Sequence, residues 1–296
     1  MRNAFIDELV QLARQHPAIA LIVGDLGYSV IEPFAEEFPE RFINAGVAEQ
    51  NMMGLAAGMA SEGYHVFVYS IANFPTFRCA EQIRNDVAYH NLPVTIVAVG
   101  GGLSYGALGY SHHAVQDYAL IRAMPNMLIA SPGDPLEVRG CLRYLINNPQ
   151  PSYLRLNKAG EALLHKEVPI LSPGKWKLIH AGNDDSTRAH LATGYALQIA
   201  HRRLKKNSEY SHDYLFSMPL WGMECKKYQV EQVKLFDDVK VYEDHLRDGG
   251  FSSWMLESLL DAPNFLKRIS SYALDPVVCG AVGSQDVMNK LGGLIE

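Results

Sequence analysis

Cysteine is scarce and poorly placed for cross-linking. Cys79, Cys141, Cys225 and Cys279 are each more than 50 positions from the next, and no C-x-x-C pair occurs. That spacing carries no zinc or dithiol motif and suits a reduced, cytoplasmic protein. Positive charge is also short, with 26 Lys and Arg against 32 Asp and Glu and a formal charge of −6. Such a balance argues against nucleic acid or an anionic membrane as the main partner. No apolar run approaches the roughly 18 residues that a membrane span requires. The opening stretch MRNAFIDELVQLARQ interrupts its apolar positions with charge. It therefore reads as an amphipathic helix with Phe5, Leu9 and Leu12 on one face, not as a signal peptide. A phosphate loop of the form G-x-x-x-x-G-K-[ST] is missing, and no segment repeats at a fixed period.

What remains is the composition of a globular protein, 296 residues with 48% hydrophobic and 20% charged, enough for two domains. Apolar β-rich runs at 18–24, 41–46, 64–70, 93–100, 126–131 and 151–156 alternate with helical patterns at 3–15, 50–62, 77–90, 116–124 and 134–147. Continuous apolar strands separated by helices predict a parallel sheet covered on both faces. The stretch 157–175 loses this rhythm among Gly and Pro. A second round follows, with strands at 176–182, 213–219, 240–244 and 268–274 and helices at 187–204 and 251–261. The expected fold class is α/β: two domains, 1–158 and 176–296, each a mainly parallel sheet flanked by helices, joined by a linker at 159–175.

Ligands of open parallel sheets bind beyond the carboxyl ends of the strands, and several chemically capable residues follow those ends. Glu49 stands alone between a strand and the helix EQNMMGLAAGMAS, which is apolar on nearly every face and so is expected to be buried. It reads either as a first-turn carboxylate favoured by the helix dipole or as a buried acid in need of a partner. The loop GGGLSYGALGYSHHAVQD (100–117) has five glycines ahead of two histidines, which permits close approach of backbone to a ligand. Its glycines do not open a helix as a nicotinamide fingerprint requires. His112 and His113 are adjacent, so their side chains diverge; one of them can serve as a hydrogen-bond donor or proton shuttle. Phe74 and Phe77 fit core packing or an aromatic wall for a flat ring. Arg2, Arg78 and Lys158 read as solvated cations or as contacts to an anion.

The segment GVAEQNMMGLAAGMASEGYHVFVYSIANFPTFRCAEQIRNDV resembles the pyrimidine-binding domain of the transketolase and deoxyxylulose-phosphate synthase group. The likeness continues through YGALGYSHH and PSYLRL and resumes at VYEDHLRDGGFSSWMLE. It implies thiamine diphosphate as cofactor and gives Glu49 its partner. In this family that glutamate hydrogen-bonds ring nitrogen N1′ of the aminopyrimidine, favouring the imino form that deprotonates the thiazolium carbon. A charge-assisted hydrogen bond then offsets the burial of the acid. Phe74 and Phe77 match the aromatic wall against the pyrimidine, and His112 matches the histidine that meets the donor substrate. Arg2, Ser29, Arg78 and Lys158 match positions that hold an acceptor phosphate in one branch or another. Leu108 replaces an acidic residue of the family, Gly100 and Gly101 replace a basic or histidine position, and Lys158 replaces an arginine. These departures imply substrates other than those of the pentose-phosphate enzyme.

Full-length relatives carry an earlier domain whose GDG and a later Asn hold Mg²⁺ and the diphosphate. The nearest matches here, GDL at 24–26 with Asn51 and GDP at 133–135, do not reproduce it. The expectation is the C-terminal subunit of a split enzyme that transfers a two-carbon unit to an aldehyde, a sugar or sugar phosphate. Its Mg²⁺ ligands would come from an N-terminal partner chain in a heterotetramer. Two other readings compete: the β subunit of a 2-oxo acid dehydrogenase, and a non-catalytic regulatory subunit.

Overall fold

The computed structural model describes residues 1–183 and 185–295. Asp184 and Glu296, both within the second domain as read from sequence, lie outside the described residues. In chain order the strands are β1 (Ile19–Val23), β2 (Phe42–Asn44), β3 (His65–Ile71), β4 (Val94–Val99), β5 (Leu128–Ala130) and β6 (Ser152–Leu156). They continue with β7 (Lys177–His180), β8 (Arg188–Ala192), β9 (Tyr214–Ser217), β10 (Leu220–Gly222), β11 (Asp238–Leu246) and β12 (Ile269–Leu274).

Two mainly parallel sheets result. The first has the order β10-β5-β6-β4-β3-β1-β2 and the second β12-β11-β8-β9-β7. β1, β4 and β6 are buried at every position, the burial pattern that continuous Val, Ile and Leu runs predict for strands covered on both faces. Helix Arg2–Gln15 lays Phe5, Leu9 and Ala13 on the first sheet's side of the core. Helix Pro135–Asn147 is started by Asp134, whose carboxylate accepts from the Glu137 amide at 2.7 Å, with Pro135 in the first turn. That is a capped N-terminus with its unpaired amide satisfied.

Three sequence expectations are corrected. The stretch 187–204 is not one helix: Arg188–Ala192 is a strand paired parallel to both β9 and β11, and the helix begins only at Ala196. Arg, Ala and Leu are good helix formers, but sheet pairing overrides that weak preference. Gly194 then turns the chain at φ +61, where a Cβ would meet Ser131 Oγ at 2.5 Å. Second, Leu220–Gly222 leaves the second half of the chain and adds an antiparallel edge to the first sheet beside β5. Third, helix Glu49–Ser61 buries one face only. Met52, Met53 and Ala56 are fully buried, whereas Gln50, Asn51, Gly54, Leu55 and Gly58 are open to solvent.

Candidate active site

Glu49 opens its helix just after a turn built on Gly46 at φ +71. Asn44 Oδ1 ties this turn by accepting from the amides of Gly46 (3.0 Å) and Asp25 (3.1 Å). The glutamate is 4% exposed, and its partner is present in this chain: Arg78 Nη1 donates to Glu49 Oε1 at 3.0 Å. A carboxylate withdrawn from water needs such a partner. Arg78 is itself half open to solvent, so the pair lies at the surface of the chain.

From this pair the predicted residues run on as a line of contacts. The Arg78 guanidinium lies 4.2 Å from the centre of the Phe74 ring, a cation–π geometry. Phe74 meets the His112 ring edge-on at 5.3 Å, and Tyr105 meets His112 from another direction at 6.4 Å. Lys158 Nζ lies 5.5 Å from the Tyr105 ring centre, and Arg2 Nε donates to the Lys158 carbonyl at 2.8 Å. Burial, aided by the charges of His113 and Arg78, lowers the His112 pKa from its ordinary value. The imidazole is therefore biased toward its neutral form, able to accept as well as donate a proton.

His112 is presented by a loop closed at its base by paired amide–carbonyl bonds between Gly102 and Ala114, both 2.9 Å. The glycines ahead of it approach side chains of the protein itself. A Cβ on Gly100 would overlap the Tyr105 ring, on Gly101 the Arg155 guanidinium, and on Gly102 the Asp244 carboxylate. These three glycines therefore make room for the protein's own side chains. The two histidines do diverge: His113 is buried with Nε2 3.2 Å from the Gly106 carbonyl, while His112 is half-buried with Nδ1 3.0 Å from Ser111 Oγ.

Two predicted residues stand apart from this line. Ser29, at φ +65, uses its amide to bond Glu32 Oε1 at 2.7 Å. Phe77 points outward from helix Asn73–Phe77 and is 43% exposed. Asp25 of GDL is engaged by Asn44 Nδ2 and Tyr28 OH, each at 3.0 Å, and Asn51 is solvent-exposed, so the two do not form a ligand pair. Among the described residues no group of three or more His, Cys, Asp and Glu is arranged to hold a metal ion. Sequence alone does not single out Tyr105 and Asn73, since a tyrosine and an asparagine in loop-rich stretches carry no periodic signal.

A parallel sheet buried on both faces thus carries an acid, an aromatic ring and a histidine aligned in the segments that follow its strands. Residues 1–160 match the transketolase pyrimidine-binding domain. The chain is 32% identical to an apulose-4-phosphate transketolase subunit of Phocaeicola vulgatus, over 88% of this chain and 84% of that protein. It is 29% identical to 1-deoxy-D-xylulose-5-phosphate synthase of Clostridium perfringens over 99% of its own length but 47% of that enzyme. A solved split-gene transketolase, described as an inactive beta4 tetramer, superposes with a TM-score of 0.83 at 28% identity, covering 99% of this chain and 93% of that one. The chain belongs to the transketolase family of thiamine diphosphate-dependent transferases and corresponds to the C-terminal subunit of its two-component members.

Proposed function

We propose that this chain supplies the pyrimidine-binding half of a transketolase-like site and completes it with an N-terminal partner chain that brings Mg²⁺ and the diphosphate contacts. The observation that carries the reading is the unbroken line Glu49–Arg78–Phe74–His112 along one edge of the first sheet. A buried carboxylate beside an aromatic ring matches what an aminopyrimidine needs, one acceptor for its ring nitrogen and a flat apolar surface. Thiamine diphosphate, when bound, supplies the carbon nucleophile and electron sink for two-carbon transfer. Glu49 holds the proton at the pyrimidine ring nitrogen, and Arg78 is displaced from it or bridges to an anionic substrate. Phe74 excludes water from the pyrimidine, and Phe77, exposed at the end of the same helix, becomes part of that aromatic wall only once the partner chain covers it. His112 orients the donor's hydroxyl or carbonyl through its free ring nitrogen. Arg2 and Lys158, with Tyr105 between them and His112, form the cationic end that a phosphorylated sugar acceptor would reach; Ser29 lies in the loop after β1 and contributes from the side.

The acceptor is an aldose phosphate on this reading, and the assembly is a heterotetramer of two such chains with two partner chains. The open face of helix Glu49–Ser61, where a Cβ added at Gly54 or Gly58 would meet nothing within 4 Å beyond the helix itself, suits close approach of that partner. On this reading the chain is two units, 1–158 and 176–296, joined by a linker at 159–175. In the reconstituted complex, Glu49→Gln and Glu49→Ala are expected to lower the rate by roughly 10²–10⁴ while assembly is retained. A regulatory subunit would tolerate both changes, so full activity would reject the catalytic reading. A 2-oxo acid dehydrogenase subunit would instead turn over pyruvate and leave sugar phosphates untouched.

A further inference from the structure

Within the histidine loop, Tyr110 OH and the Gln116 carboxamide bond each other, and from outside it Asn73 ties down the tip. Asn73 Nδ2 donates to the carbonyls of Ser111 (2.9 Å) and His113 (3.1 Å), which bracket His112 on both sides. The tip itself is a single tight turn, Tyr110–His112, entered through Gly109 at φ +80. Its own backbone bonds are His112 N to Gly109 O (2.9 Å) and His113 N to Tyr110 O (3.1 Å). Those bonds shape the turn but do not fix where it sits on the protein.

Asn73 stands on firmer ground. It begins helix Asn73–Phe77, whose Thr76 hydroxyl is buried and bonds the Ala72 carbonyl at 2.6 Å and Tyr153 OH at 3.3 Å. The next residue, Phe74, is the ring that meets His112. One short helix therefore carries the aromatic wall and the tether of the histidine loop together. A carboxamide nitrogen has two N–H donors, and here each has its own carbonyl.

We propose that Asn73 is a positioning residue for His112: its carboxamide pins the carbonyls of the two neighbouring residues, Ser111 and His113, to the helix that carries Phe74. The reaction-level consequence rests on the reading of His112 as a substrate-facing group. Displacement of such a group by about 1 Å can lower turnover by about 10²-fold. Alanine and the near-isosteric leucine both remove the two donors, and neither adds charge.

The test uses the full chain labelled with ¹³C-histidine, the His112 ring signal being identified by its loss in His112→Gln. Around His112 stand Arg78, His113, Tyr105, Ser111 and Phe74. Asn73→Ala and Asn73→Leu keep all of them but release the loop. In both variants the His112 titration should move up toward the ordinary value near 6.5, with the unfolding midpoint held as a control on folding. With the partner chain added, kcat should fall by roughly 10–100-fold at unchanged cofactor affinity. A His112 signal that titrates as in the wild type in both variants overturns the proposal. So does full activity of both Asn73 variants alongside an inactive His112→Gln. Full activity of His112→Gln with a shifted signal in Asn73→Ala would instead reject the role of His112 and leave the tether standing.

Discussion

At the scale of single residues, Arg78 has two neighbours with opposite demands. It neutralises Glu49 at 3.0 Å, and its charge helps hold the His112 pKa down after burial and His113. Arg78→Ala is therefore expected to raise the His112 titration, read by NMR on the free chain; a fall or no movement would contradict the electrostatic link. Glu49 was legible in the sequence because a lone acid ahead of an apolar helix is conspicuous. His112 was legible through the resemblance of its loop. The identity of Glu49's partner within this chain was not, because 29 residues and a whole strand separate the two. Arg78 reads as an anion contact on its own, and only the fold shows that it also closes on the acid. Asn73 gives no signal for a similar reason: its partners are backbone carbonyls 38 and 40 positions away.

Elements were legible where one requirement governed them and obscure where two competed. The continuous apolar runs of the first sheet admit one reading. Arg188–Ala192 admits two, and pairing on both sides selects the strand. Leu220–Gly222 is too short to show a period. The junction of helix Pro135–Asn147, the linker and β9 makes a prediction of its own. His165 Nδ1 lies 3.1 Å from Asp134 Oδ2, and Glu137 Oε2 accepts from the Gly133 amide (2.7 Å) and from Ser217 Oγ of β9 (3.0 Å). Burial pushes Glu137 from 4.5 up to about 7. Burial alone would lower His165, but the hydrogen bond to Asp134 and the charge of Glu137 raise it. A group whose folded pKa is raised stabilises the fold below its unfolded pKa, and that contribution is lost as pH climbs through the folded value. Both groups thus withdraw stability as pH rises, Glu137 between about 4.5 and 7 and His165 above 6.5. Glu137→Gln should flatten this fall, measured as urea midpoints from about pH 5 to about pH 8. An unchanged slope would mean that the junction does not titrate with folding.

For the whole molecule the question is what makes one body of two sheets. Arg155 of β6 lies between them, 3% exposed. Its Nε donates to Asp117 and its Nη1 to Asp244 of β11, both at 2.7 Å, and its Nη2 reaches the Ala114 carbonyl at 2.7 Å. Both aspartates are buried, so the cation offsets two desolvated carboxylates at once. Removing one member of such a group is far more damaging than replacing all of it, because the remaining charge is left in a dry interior. Arg155→Met should therefore lower the unfolding free energy by about 3–5 kcal/mol. It should also separate the denaturant transition into two steps as the sheets lose their common tie. Changing Asp117 and Asp244 to leucine in the same chain removes the stranded charges and should restore much of the loss. Fluorescence follows both parts, since Trp221 of β10 packs in the first sheet and Trp176 lies beside Phe216 of β9 in the second. The same tie holds the base of the histidine loop through Ala114, so its loss should reach the active edge as well. A single transition at the wild-type midpoint in Arg155→Met would show that apolar packing alone joins the sheets.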